Sequence, residues 1–274
     1  MTAGAVDLDA ALAAVEEDQP LVNALTNEVT VNQVANVILH WGALPVMSDD
    51  TREVADMVSI ADALLLNMGT VSERGEEAML TGGEAANDHG VPVVVDPVGV
   101  GATPTRTRVA ERLVTELDVA VVKGNYGEVT ALVGDDAEVR GVESVGEYAD
   151  IAETAIACAR KVDAVVVASG EVDIVATADA AFEVDAGHPM MGQVVGTGCM
   201  LGGTLAAFAA TLPNEEAALA GTAAFGLAGE LAADGAFGEY FGPASYETAF
   251  LDAVAGFAEA NISDATGRID QVVE

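Results

Sequence analysis

The chain has 274 residues, 51% of them apolar and only 4% aromatic, and sets 45 acidic side chains against 10 basic ones for a formal charge of −35. That length suits one large α/β unit whose core is filled by Ala, Val, Leu and Gly, side chains small enough for helices to pack closely on a sheet. A surface so acidic repels nucleic acid and anionic membranes, which excludes both as expected partners.

Mean hydropathy is positive and the carboxylates are scattered among apolar runs, so the chain is expected to fold rather than stay disordered. Self-repulsion on this scale is tolerable where salt screens it, since the Debye length falls to roughly 3 Å at molar ionic strength. A halophilic protein is therefore expected. Two cysteines, Cys158 and Cys199, make no disulfide framework. No basic-then-apolar leader stands at the N-terminus, and no apolar run reaches the ~20 residues of a membrane span. A soluble protein of the cytoplasm is the expectation.

Short apolar runs alternate with helical patterns. Strands are expected at Leu21–Leu25, Leu44–Met47, Ala63–Asn67, Val93–Asp96, Val119–Lys123 and Val165–Ala168. Between them lie helical segments: Val31–Trp41 closed by Gly42, Arg52–Ser59, Glu73–His89 closed by Gly90, Arg106–Leu117 and Glu147–Lys161, with Cys158 facing the core. Near-continuous apolar strands alternating with helices imply a mostly parallel sheet covered on both faces. Asp173–Thr177 and Ala181–Val184 flank a turn at Asp179 and read as an antiparallel hairpin. From Cys199 the pattern is helical, near 199–212, 215–234 and 245–260, and the polar tail after Asn261 is expected to be loose. Neither a repeat nor a linker interrupts the chain, so one domain over 1–274 is expected.

Ligands of open α/β sheets gather at the carboxyl ends of the strands. Five such ends carry polar residues beside turns: Thr26-Asn27, Asn67-Met68-Gly69-Thr70, Asp96-Pro97-Val98-Gly99, Lys123-Gly124-Asn125 and Ser169-Gly170-Glu171. Asp-Pro and Gly-x-Gly also simply form turns, and Asn125 with Glu128 equally fits a helix cap with its N3 partner. The most informative stretch is Gly196-Thr197-Gly198-Cys199, which runs straight into the apolar segment Met200–Leu212. Glycines at a helix start leave backbone N–H groups aimed outward, a ready anion site. A thiol at the first helical position there feels the positive end of the dipole, which favours thiolate. The loop lacks the lysine of a Walker A sequence and the spacing of a Rossmann fingerprint.

These pieces, taken together, resemble the hydroxyethylthiazole kinase family of the ribokinase-like fold. The resemblance runs from about residue 20 to residue 255. It rests on Pro20-Leu21-Val22-Asn23-Ala24-Leu25-Thr26-Asn27, Gly42-Ala43-Leu44-Pro45-Val46-Met47, Leu66-Asn67-Met68-Gly69-Thr70 and Val95-Asp96-Pro97-Val98-Gly99-Val100-Gly101. Lys123-Gly124-Asn125 with Glu128, Ser169-Gly170-Glu171-Val172-Asp173, Gly187-His188-Pro189 and Gly196-Thr197-Gly198-Cys199 follow in family order.

The resemblance implies ATP-dependent phosphorylation of the primary alcohol of the thiazole moiety of thiamine, in thiamine salvage. Cys199 then stands where ribokinase-like enzymes usually carry an Asp base. Lys123, Ser169, Gly196, Thr197 and Gly198 are implied at the ATP phosphates, and Asp96 and Glu128 at Mg²⁺. Met47, Gly196 and Asn27 are implied at the thiazole. Thr26 and Asn27 match a segment that reaches a neighbouring active site across a homotrimer interface.

Four departures stand out. Lys123 replaces the usual Arg, keeping the charge but losing the bidentate grip on phosphate. Ser169 keeps the hydroxyl of the usual Thr. Asn23 stands where His is frequent, and Ala186-Gly187-His188 replaces Asn-Gly-His. Two alternatives stay open: another ribokinase-like small-alcohol kinase or hydrate dehydratase, and a catalytically silent nucleotide- or metabolite-binding protein on the same scaffold.

Overall fold

A computed structural model describes residues 6–134, 151–260 and 267–273. Nine strands form one sheet in the order β2-β1-β3-β4-β5-β6-β7-β8-β9. The parallel part comprises β1 (Leu21–Leu25), β2 (Leu44–Val46), β3 (Ala63–Asn67), β4 (Val93–Asp96), β5 (Val121–Asn125) and β6 (Val165–Ser169). Strands β7 (Asp173–Ala176) and β8 (Ala181–Val184) continue it as an antiparallel hairpin. The central strands are apolar up to their carboxyl-end residues because both faces are covered: every residue of β3 and β4 is buried.

One face carries α1 (Leu8–Asp18), α2 (Val31–His40), α8 (Thr197–Ala209), α9 (Asn214–Ala233) and α10 (Pro243–Ala255) over a shared core. The other carries α3 (Val54–Val58), α4 (Glu73–His89), α5 (Pro104–Glu116), α6 (Tyr126–Val133) and α7 (Ile151–Val162). The expected architecture, an α/β fold with a mostly parallel sheet, helices on both faces and an antiparallel hairpin, is what forms.

Local chemistry sets the helix ends. Ser72 caps α4 by accepting from the Gly75 N–H at 3.0 Å, and Gly90 closes it at φ 71°, a conformation costly for any residue with a Cβ. Cys158 is buried on α7, and burial pushes its thiol up to about 12, which leaves it inert.

Beyond shifts of helix ends by a few residues, four differences from the sequence expectation matter. Helix α1 was not anticipated; it buries Leu8, Ala11, Leu12 and Val15 behind an Asp7 cap. Helix α6 is signalled only by its Asn125–Glu128 cap and given no extent, because eight residues carry barely two helical turns of periodicity. Strand β5 starts and ends two residues later than Val119–Lys123. The tail is not loose where it is described: Ile269–Val273 forms β9, antiparallel to β8. An edge strand buries one row of side chains, here little beyond Ile269, so its polar sequence carries no apolar alternation. Part of the helix expected at Glu147–Lys161 lies outside the described residues, as does 261–266 of the tail.

Candidate active site

Parallel strands bring their carboxyl ends to one edge, and the N-terminus of α8 descends onto it. Gly196, the N-cap, sits at φ 96°, and a Cβ there would lie 2.7 Å from Thr30 Cγ2. Glycine is therefore required both by its dihedral and by the closeness of the Asn27–Thr30 turn. No side chain caps α8, so its first-turn N–H groups face the strand ends. Cys199 occupies the third helical position of α8, two later than expected, because the helix begins at Thr197.

A buried hydrogen-bond relay runs from Cys199 to Asp96. Asn27 Nδ2 lies 3.4 Å from Cys199 Sγ and donates to Asn67 Oδ1 at 3.0 Å. Asn67 Nδ2 in turn donates to Asp96 Oδ2 at 2.7 Å. Asn27 is itself held by the Val29 and Thr30 amides on its Oδ1. The Asn27 side chain reaches Cys199 within one chain, since β1 lies next to β3 and against α8.

The Lys123 ammonium lies 3.7 Å from Asp96 Oδ1. It also fills the space a side chain at Gly198 would take, 3.0 Å from that Cβ position. Asp96 and Lys123 are both buried. Burial holds the Asp96 carboxyl above its ordinary range, with Lys123 pulling it down and Glu128 pushing it up. For Lys123, burial works against the charge, but Asp96 and Glu128 outweigh it, and the ammonium stays charged. Asp96 Oδ1 is buried without a hydrogen-bond partner, faced by the Lys123 ammonium only at ion-pair distance.

Glu128 forms the N3 half of the Asn125 capping box, accepting from Asn125 N at 2.8 Å and from Gly99 N at 2.7 Å. Each of its oxygens thus already ties a strand-end loop. Ser169 ends β6, its Oγ 3.4 Å from Gly124 O. The Thr197 hydroxyl donates to Met191 O or Val194 O, which leaves the backbone of Thr197 as the part free to meet a ligand. Ser169, Thr197 and Gly198 line one cavity of about 550 Å³, with the 186–192 segment and α9 as further walls. Met47 is half-buried just after β2 and packs, like Cys199, against the core under α8. Asn23, in the place of a frequent His, clamps the adjoining loop by exchanging two bonds with the Ser48 backbone.

Three site residues carried no assigned role in the sequence. Asn67 stood among the strand-end polar residues, and only its pairing shows that it bridges Asn27 and Asp96. Arg106 donates to Val98 O, Met68 O and Gly69 O, stapling two strand-end loops together. Its scarcity was the available signal, as one of 10 basic residues placed just after a Gly-x-Gly turn. Asp173 lines the cavity and accepts from Gly170 N at 2.9 Å, and burial pushes its carboxyl up to about 6.

A sheet of this topology, with a glycine-bordered helix start over its polar edge, defines a ribokinase-like enzyme of the small-molecule kinase kind. The solved structure of a ribokinase-like superfamily protein from Enterococcus faecalis V583 shares the fold at TM-score 0.66 and 14% identity, over 91% of this chain and 94% of that one. The model of the hydroxyethylthiazole kinase family matches residues 12–259, and the chain belongs to that family. A hydroxyethylthiazole kinase of Natronomonas pharaonis is 66% identical over 98% of this chain and 97% of its own length. The solved hydroxyethylthiazole kinase structure from Pyrococcus horikoshii OT3 is similar at TM-score 0.85 and 33% identity, covering 97% and 98% of the two chains. Among the described residues no helix is long and apolar enough to cross a membrane.

Proposed function

We propose that the protein transfers the γ-phosphoryl group of ATP to the primary hydroxyl of hydroxyethyl-methylthiazole, yielding the phosphate ester and ADP, as a step of thiamine salvage in the cytoplasm. The whole chain acts as one catalytic domain. The observation that carries the reading is the relay Cys199–Asn27–Asn67–Asp96 beneath the glycine start of α8, beside an open cavity.

Cys199 Sγ orients the alcohol and takes its proton as the new O–P bond forms and the bond to the β-phosphate oxygen breaks. Asn27 fixes the sulfur's direction and, with Met47 and Gly196, borders the thiazole. Met47 suits a sulfur heterocycle because a polarisable thioether packs well on aromatic faces. The ATP phosphates meet the Lys123 ammonium, the Ser169 hydroxyl and the backbone of Gly196, Thr197 and Gly198, donors held in place before the reaction begins.

Among the described residues no group of three or more His, Cys, Asp and Glu stands ready to hold a metal ion. The orphaned Asp96 Oδ1 fits a hard cation that keeps most of its waters, as magnesium does. Asp96 would hold Mg²⁺ directly, and Glu128, with both oxygens already bonded, only through water. Magnesium bound there supplies charge neutralisation on the β- and γ-phosphates. A homotrimer fits the exposed apolar side chains beside the site, Val29 at 70% and Val195 at 73% exposure.

The test is phosphorylation of hydroxyethyl-methylthiazole by Mg²⁺-ATP in molar KCl, followed by ³¹P NMR. Wild type is expected to form the ester, and Cys199→Ala to lose about 10²- to 10⁴-fold in kcat while still binding ATP. Ester formation at the wild-type rate by Cys199→Ala removes the thiol from the reaction. Failure of the folded, ATP-binding wild type points to a different alcohol or to a silent scaffold.

A further inference from the structure

One wall of the cavity is built by a segment that is held from outside the site. Ala186, Gly187 and His188 line the cavity, and Gly187 sits at φ 135°, a conformation that glycine adopts and residues with a Cβ avoid. Its N–H donates to Glu230 Oε1 at 3.1 Å. Glu230 lies on α9 one turn beyond Gly226, where a Cβ would come within 2.6 Å of Ala186 O, so the wall rests directly on the helix.

The other Glu230 oxygen accepts from Arg268 Nη2 at 2.7 Å. Arg268 Nη1 donates to Asp185 O at 2.8 Å, and the Asp185 N–H donates back to Arg268 O at 2.8 Å. One guanidinium fork thereby joins the start of the wall, the carboxylate that holds its glycine, and the residue before β9. In a chain with 10 basic residues, one is committed to this joint although it does not line this cavity.

We propose that Arg268 and Glu230 are positioning residues for nucleotide binding, making the C-terminal strand part of the ATP site without touching ATP. The inference rests on the reading that the 550 Å³ cavity receives the nucleotide. A partly exposed ion pair contributes little to global stability. A wall ordered in advance, however, spares the ligand the cost of ordering it, and that gain appears in affinity. The Arg fork serves two acceptors at once, which a lysine cannot reproduce.

Steady-state kinetics in molar KCl on the full chain separate the possibilities. Arg268→Ala is expected to raise the ATP KM about five- to tenfold, with kcat and the thiazole KM within about twofold of wild type. Arg268→Lys, which keeps one of the two bonds, is expected to fall between them and reads the effect if the alanine variant does not fold. An unchanged ATP KM in both variants overturns the proposal, as does a joint loss in both KM values and kcat. Gly192→Trp tests the underlying reading independently. Gly192 lines the cavity with open space at its Cβ, so the indole obstructs it. An unmoved ATP KM in Gly192→Trp places the nucleotide elsewhere. A raised KM there, with Arg268→Ala and Arg268→Lys unaffected, leaves the cavity reading standing and removes the clamp.

Discussion

Both ends of the Asn67 amide are used inside the protein: Oδ1 accepts from Asn27 and from the Gly69 N–H, and Nδ2 donates to Asp96. A buried polar group left without its partner costs the full desolvation penalty. Asn67→Ala leaves Asp96 Oδ2 without its Asn67 donor and the Gly69 N–H without its acceptor, while the Asn27 amide keeps Thr30 Oγ1, and urea denaturation is expected to show a loss of about 1–3 kcal/mol. Asp173 provides a pH signature. Burial raises its folded pKa to about 6, so between the unfolded carboxylate range near 4 and pH 6 the native state binds the extra proton. Its contribution is thus fully present below about pH 4 and lost as the pH rises through 6. Asp173→Asn is expected to flatten that part of the stability profile, read as the variant-minus-wild-type difference in urea midpoint at fixed KCl. A difference that stays constant from pH 4 to 7 removes the assignment.

Helix α8 is where element and chemistry meet. It is apolar on every side, with every residue from Met200 to Ala209 buried, because it packs between the sheet, α2 and α9. Gly202 and Gly203 let it approach Asp96 and the Val34–Ile38 face of α2. Its start depends on Gly196. Gly196→Ala combines a φ of 96° with a 2.7 Å contact to Thr30 Cγ2, and is expected to cost roughly 1–3 kcal/mol. Thermal melting checks the cost, and kcat should fall with it, since the Cys199 sulfur moves with the first turn. Full activity and an unchanged melting temperature would show that the turn at 27–30 can yield. The capping box on α6 illustrates how one residue pair serves two readings. Asn125-x-x-Glu128 is legible as a helix start from spacing alone, whereas the bond from Gly99 N to Glu128 joins residues 29 apart and leaves no local trace.

For the molecule as a whole, charge is the dominant fact. Six of the 10 cations are committed to ion pairs among the described residues: Arg52 and Arg74 to Asp50, Arg108 and Arg112 to Glu76, Lys123 to Asp96 and Arg268 to Glu230. With 45 acidic residues in the chain, most carboxylates face only one another and salt. Melting temperature is expected to climb from ~0.1 M to molar KCl, where the Debye length contracts from about 10 to 3 Å. Sedimentation velocity over the same series should find a trimer at high salt. Stability indifferent to KCl, or a species of one chain's mass throughout, contradicts the respective expectation.

Strands β1, β3, β4 and β8 and helix α4 were legible to the residue, because apolar runs, Gly caps and Ser caps are local properties of adjacent side chains. So was the polar edge that carries Asn27, Asn67, Asp96, Lys123 and Ser169, since parallel strands bring their carboxyl ends together whatever the packing. The relay through Asn67, the Lys123 ammonium beneath Gly198, and the grip of Arg268 on a wall 80 residues away had no such signature. Each joins groups distant in sequence, and only the register of β3 beside β4 and the packing of α8 and β9 against the sheet bring those groups within bonding distance.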